Sequence, residues 1–360
     1  MSPLPSATTP AGIPLHTVLL TSVAMLCFAA NSILCRLALA PRLIDAATFT
    51  TLRVASAALV LSLIVLLQQR RLPRLFEANP LSTAALFGYL IFFSFAYLRL
   101  DAGSGALILI GAVQLCMLTV AFWEGERFRA TQWAGFALAV LGLICLLLPG
   151  ASAPDALGAL LMGLSGIAWG CFSLLARGAG DPVRTNAATL LACLPLSLAL
   201  SLFAIHDFAV TASGALFAIA SGALATGLGY VIWYLAVREL AAAHAASVQL
   251  SMPALVALGG AGLLDEPLTV RLLGTAVMML GGIALVLRRR VKPAHRDRSG
   301  ESKPPSPTMP AIPCAWWCAA RAAAEPALTV VTNSPLASLV RKLGSPRRSP
   351  GDARLVRPFG

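Results

Sequence analysis

The stretch Ser32-Ile33-Leu34-Cys35-Arg36, followed nine residues on by Asp45-Ala46-Ala47-Thr48, returns as Ser173-Leu174-Leu175-Ala176-Arg177 and Asn186-Ala187-Ala188-Thr189. Both pairs are displaced by 141 residues, so the chain holds a duplicated unit. Gly88-Tyr89-Leu90-Ile91 and Gly229-Tyr230-Val231-Ile232 repeat at the same offset. All lie in long apolar runs, and duplication of a membrane unit is a ground plan of secondary transporters, which bind substrate between the copies.

Composition agrees with a lipid environment. Hydrophobic residues make up 58% and charged residues 12%, with mean hydropathy +0.81, against about 45–50% and about 25% in soluble domains. Ten apolar stretches, 15–39, 44–67, 79–98, 101–122, 131–149, 156–176, 186–205, 211–235, 240–263 and 268–287, each approach the roughly 20 residues that cross a hydrocarbon layer about 30 Å thick. The segment up to Pro14 has no basic stretch, so the first run is expected to stay as a span and not to be removed as a signal.

Arginines set the expected orientation. With the N-terminus cytoplasmic, inside joins hold eleven (Arg70, Arg71, Arg74, Arg127, Arg129, Arg177, Arg184, Arg238, Arg288, Arg289, Arg290) and outside joins four (Arg36, Arg42, Arg99, Arg271). Five spans per half is an odd number, so the second copy enters the membrane upside down. Gly125-Glu126-Arg127-Phe128-Arg129 and Asp265-Glu266-Pro267-Leu268-Thr269 are matching loops, and only the first, expected inside, carries arginines. The expectation is an all-α membrane protein of ten transmembrane helices in two inverted five-helix repeats. Its parts would be a cytoplasmic segment 1–14, repeats 15–149 and 150–290, and a disordered basic tail 291–360, in the inner cell membrane with both termini cytoplasmic.

These residues resemble the EamA-type branch of the drug/metabolite transporter superfamily. The resemblance covers about residues 15–290 and rests on Gly125-Glu126-Arg127-Phe128 with Gln132-Trp133-Ala134-Gly135, on Glu266-Pro267-Leu268-Thr269, on Ala29-Ala30-Asn31-Ser32 and on Val248-Gln249-Leu250-Ser251-Met252-Pro253. It implies a carrier of small metabolites, often an exporter, with a central cavity lined by both halves, and it leaves the substrate open. The chain departs from strict symmetry: Pro253 faces Val113 in the first repeat, and Val113-Gln114-Leu115 pairs with Val248-Gln249-Leu250 at an offset of 135 instead of 141.

Polar groups inside spans mark the candidate site, because hydrocarbon tolerates them only beside a partner, a cavity or water. Gln114 and Gln249 can donate to and accept from a polar metabolite, or bond neighbouring helices. Pro253 lacks the N–H that would bond the carbonyl of Gln249, so a helix kink is expected there. Arg53 stands eight residues past Asp45, about 12 Å along its helix at about 1.5 Å per residue. It can attract an anionic group such as a carboxylate or reach structural carbonyls, and the second repeat has Leu194 in its place. Trp169 and Tyr230 are candidate cavity walls, and Trp233 and Tyr234, close to Arg238, are read as interfacial anchors. Asn31 is a short polar group that can meet substrate or a second helix. No Asp or Glu falls at mid-span, which leaves His244 as the candidate for proton coupling.

No phosphate loop, catalytic constellation or metal-spaced cluster occurs in the membrane core, where six cysteines are scattered singly; no enzyme, cofactor or metal is expected. Cys314 and Cys318 form a lone pair in the tail. Of the net charge of +12 the tail takes +7, which suits attraction to anionic lipid better than nucleic acid. Expected partners are a small-molecule substrate and the lipid bilayer, with no nucleic acid, in a monomer or homodimer. The expectation is secondary export of a small metabolite such as an amino acid or amine; the rival is a non-transporting membrane sensor or scaffold.

Overall fold

The structure, a computed structural model, describes residues 14–125, 129–150, 153–176, 180–240, 244 and 248–287. The tail from 288, the segment 1–13, the loop residue Glu126 and Arg177, on which parts of the sequence reading fall, lie outside the described residues. Ten helices are described: α1 (Leu15–Leu39), α2 (Ala46–Gln69), α3 (Pro80–Ala96), α4 (Ala102–Trp123), α5 (Ala130–Leu147), α6 (Ala156–Leu175), α7 (Pro182–Phe203), α8 (Ala212–Val237), α9 (Met252–Leu263) and α10 (Val270–Leu287). Eight are long and apolar enough to cross a membrane, and α3 and α9 are shorter apolar helices. Among the described residues extended pairing is limited to an isolated bridge between Ile44 and Val210.

Local chemistry sets the helix starts. Asp45, Asn79, Asp155, Asp181 and Thr211 each accept from a backbone N–H of the first turn, satisfying donors that the helix itself leaves open. Pro80 and Pro182 occupy the first turns of α3 and α7, where a missing N–H costs nothing. The Asp181-Pro182 pair explains why α7 starts a turn before the apolar run at 186.

The joins sort onto two faces. On the near face, where α1 starts, His16 Nε2 lies 2.7 Å from Glu239, Thr17 also donates to that carboxylate, and Gln69 donates to Asp181. On the far face Arg36 meets Asp101 at 3.2 Å and Glu266 at 2.9 Å, Arg99 meets Asp155 at 3.6 Å, and Arg271 donates to carbonyls of Cys145 and Leu148 at the end of α5.

Packing follows a two-fold relation between halves that pairs α1 with α6, α2 with α7, and onward to α5 with α10. The self-related contacts α2–α7, α4–α9 and α5–α10 are all made. Others come in matched pairs, α1–α8 with α6–α3, α1–α9 with α6–α4 and α2–α8 with α7–α3. The fifth helices touch backbone to backbone: a Cβ on Gly135 would lie 2.6 Å from the carbonyl oxygen of Gly282, and one on Gly282 2.6 Å from the nitrogen of Ala139. Lipid tails are as apolar as leucine, so such contacts, and not the hydrophobic effect, hold spanning helices together.

Two helices are irregular. In α8 the turn Ser221–Leu228 is π-helical, and Thr226 Oγ1 bonds the carbonyl five residues back, of Ser221, at 3.0 Å. Gly222 lets this turn press on α2, since a Cβ there would come 2.9 Å from the carbonyl carbon of Arg53. In the ninth span Val248 and Gln249 are helical, Leu250 and Ser251 form a turn, and α9 proper starts at Met252. Pro253 stands in the first turn of α9, where it begins a helix instead of kinking a continuous one. The nitrogen and Oγ of Ser251 both bond the carbonyl of Val248, at 2.9 and 2.7 Å.

Candidate functional site

A cavity of about 500 Å³ lies between α1–α4 of the first half and α6–α9 of the second. Its lining runs from Asn31, Arg53 and Leu109 in mid-span to Ala176, Pro182 and Val237, which are near-face helix ends. No far-face end residue lines it. Beyond its deep end Glu266 Oε1 accepts from Arg36 Nε at 2.9 Å and Oε2 from the Ala102 nitrogen at 2.7 Å, while Arg36 also donates to the carbonyl of Tyr97 at 3.1 Å. This cluster ties α1, the start of α4 and the α9–α10 join, and so both halves, into a closed far face. Asp101 and Glu266 also line a smaller hollow of about 290 Å³ on that side.

Aromatic rings form the cavity wall in repeat-related pairs. Phe28 and Trp169 are 141 residues apart, as are Tyr89 and Tyr230. Trp169 lies between the two tyrosines, its centroid 4.8 Å from Tyr89 and 5.7 Å from Tyr230, and Phe28 meets Tyr230 edge-on at 5.8 Å. Such walls cover an apolar ligand body, and their faces also attract cations.

Arg53 breaks the symmetry. Its residue is 1% exposed, with Cζ 4.8 Å from the Phe93 ring centroid and 5.6 Å from that of Tyr89. Nη2 donates to Tyr89 Oη at 3.2 Å. Nε and Nη1 are buried and have no hydrogen-bond partner among the described residues, and no described Asp or Glu lines the cavity.

Of the other residues expected from sequence, Asn31 lines the cavity and accepts from Ser221 Oγ at 2.8 Å, so it meets both the cavity and a second helix. Trp169, Tyr230 and Gln249 line the cavity. Gln114 is 7% exposed and lies outside the lining, one residue from Val113, which belongs to it. His244 is exposed and outside the lining. Trp233 and Tyr234, read as interfacial anchors, both line the cavity. Tyr89 and Asn186 escaped the sequence reading although each carried a signal. Tyr89 is the repeat partner of Tyr230, and Asn186 is the partner of the cap Asp45. Because α7 starts a turn early, Asn186 lies within the helix, donates to Tyr234 Oη at 2.6 Å and lines the cavity.

An uncharacterised protein of Pseudomonas aeruginosa is 51% identical over 288 residues, covering 78% of this chain and 98% of its own length. An uncharacterised transporter of Archaeoglobus fulgidus is 26% identical over 263 residues, covering 69% and 91%. One solved crystal structure aligns with a TM-score of 0.57 at 20% identity over 78% of this chain and 99% of its own, a likeness of fold alone. Residues 15–148 and 156–288 each match the EamA-like transporter family. With two copies of the family unit filling its membrane core, the chain belongs to the EamA-like transporter family, a family of membrane transporters.

Proposed function

We propose that the protein is a secondary carrier of the inner membrane that exports a small metabolite, such as an amino acid or a related compound, by alternating access. One observation carries this reading: the cavity of about 500 Å³ between the repeats reaches the near face and is shut from the far face by the Arg36–Asp101–Glu266 cluster. A carrier must show each face in turn, and a pseudo-symmetric pair of halves supplies the second state by rocking about the site. The arginine-rich joins of the near face support a cytoplasmic position for it under the positive-inside rule, and on that reading the open cavity loads from the cell interior.

The reading is tested by comparing metabolites inside and outside cells with and without the gene, followed by flux of the accumulating compound in proteoliposomes. Flux is expected to fall at least about tenfold in Trp169→Ala, which removes a central wall, and to fall in Gln249→Ala. Wild-type proteoliposomes that move none of the compounds that differ between the cells would overturn it.

A further inference from the structure

Within the carrier reading above, on which this step rests, we propose that the transported compound bears a single carboxylate that binds Arg53, attached to an apolar body held by the aromatic wall. A guanidinium stays charged at any physiological pH. A cation in mid-span needs a counter-charge or water, and no described side chain supplies the charge. The neighbouring rings of Tyr89 and Phe93 attract the cation without neutralising it. What remains open is N–H donor capacity at Nε and Nη1, and a carboxylate is the ligand group that matches guanidinium in both charge and hydrogen bonding.

The rest of the lining narrows the class. With Arg53 present and no Asp or Glu described in the wall, the cavity is positive, so a plain amine is repelled whereas a monoanion or a zwitterion is accepted. Leu194 stands where a second cation would be, which favours one carboxylate over two. Phe28, Trp169, Tyr230 and Trp233 offer apolar surface, and Asn31 and Asn186 offer polar contacts beyond the carboxylate.

The test uses the full-length protein in lipid nanodiscs and four probes of one shape: 3-phenylpropanoate, its amide, phenylalanine and phenethylamine. Binding is read from tryptophan fluorescence and by calorimetry. The two carboxylates are expected to bind about tenfold or more tightly than the amide and the amine, the ratio that one charge-assisted contact provides. Arg53→Met should erase the preference, and Arg53→Lys should keep part of it. Equal binding of all four, no binding of any, or a preference that survives in Arg53→Met overturns the proposal. Should Arg53→Met not fold, the Lys variant decides, since an undiminished preference there also overturns it. Flux of the same probes separates the two ideas: carboxylate-selective binding without flux sinks only the carrier reading, and flux indifferent to the carboxylate sinks only the site.

Discussion

At the residue scale, Trp169 shows how a cavity wall differs from a core side chain. Its ring packs between Tyr89 and Tyr230 on two sides and borders the cavity on another. Replacing it with alanine therefore enlarges a space that already exists. We expect Trp169→Ala to cost less than the roughly 3–5 kcal/mol of a fully buried tryptophan, while Trp169→Phe keeps a wall and most of the flux; thermal unfolding beside a flux assay checks both. Glu77 provides a pH probe away from the cavity. Arg184 donates to its carboxylate at 2.8 and 2.7 Å, and these hydrogen bonds hold the Glu77 pKa below its ordinary value. A lowered folded pKa stabilises the fold above the ordinary carboxylate value of about 4.3, and the effect fades as pH falls through the folded value. Glu77→Gln should thus unfold at a lower temperature than wild type at pH 7, with the gap closing in acid. Site residues were legible where type and depth agreed, as at Arg53, Asn31 and Trp169. Tyr89 was missed because a tyrosine in an aromatic-rich run, Phe87 to Phe95, does not stand out; only its repeat partner distinguishes it.

At the element scale the far-face cluster is the part that must change if access alternates. Glu266 is held by Arg36 and by the first free N–H of α4, and its side chain is only 12% exposed, with that of Arg36 at 16%. Neutralising it in Glu266→Gln weakens charge-assisted bonds worth about 1.5–3 kcal/mol each. If those bonds are broken in the state open to the far face, that state gains on the order of tenfold in population. A cysteine placed at Ile110, which lines the cavity, in a chain lacking its other cysteines should react with an impermeant reagent from the far face several-fold faster in Glu266→Gln; an unchanged rate would show that the cluster does not gate. Helix positions were mostly legible because apolar length decides spans, and the ends were set by caps. The ninth span was the exception. Its hydropathy is continuous from 240, yet Leu250 and Ser251 form a turn between helical Gln249 and Met252, and no periodicity reports a break that polar backbone contacts make possible.

At the scale of the molecule, near-symmetry explains both the packing and the site. Paired contacts link much of the bundle, and the rings at the centre obey the same relation, so most of the cavity is one that either half could build. The 141-residue repeat makes that architecture legible in the sequence. What the repeat cannot encode is where the halves differ, and Arg53, Asn186 and the start of α9 are such places. Orientation is the remaining global property, and it rests on arginines. Three of the four far-face arginines are engaged, Arg36 and Arg99 by carboxylates and Arg271 by carbonyls at the end of α5, where the helix dipole favours a cation. Their charge is thus compensated locally, whereas the α2–α3 join alone presents Arg70, Arg71 and Arg74 on the near face. On the proposed reading the positive-inside rule assigns the near face to the cytoplasm. Alkaline phosphatase fused after Gly150, on the far face, should be active, and the same enzyme fused after Leu287 inactive, with a green fluorescent reporter giving the opposite pattern. Activity of the phosphatase after Leu287 would reverse the orientation, and with it the direction in which the open cavity loads.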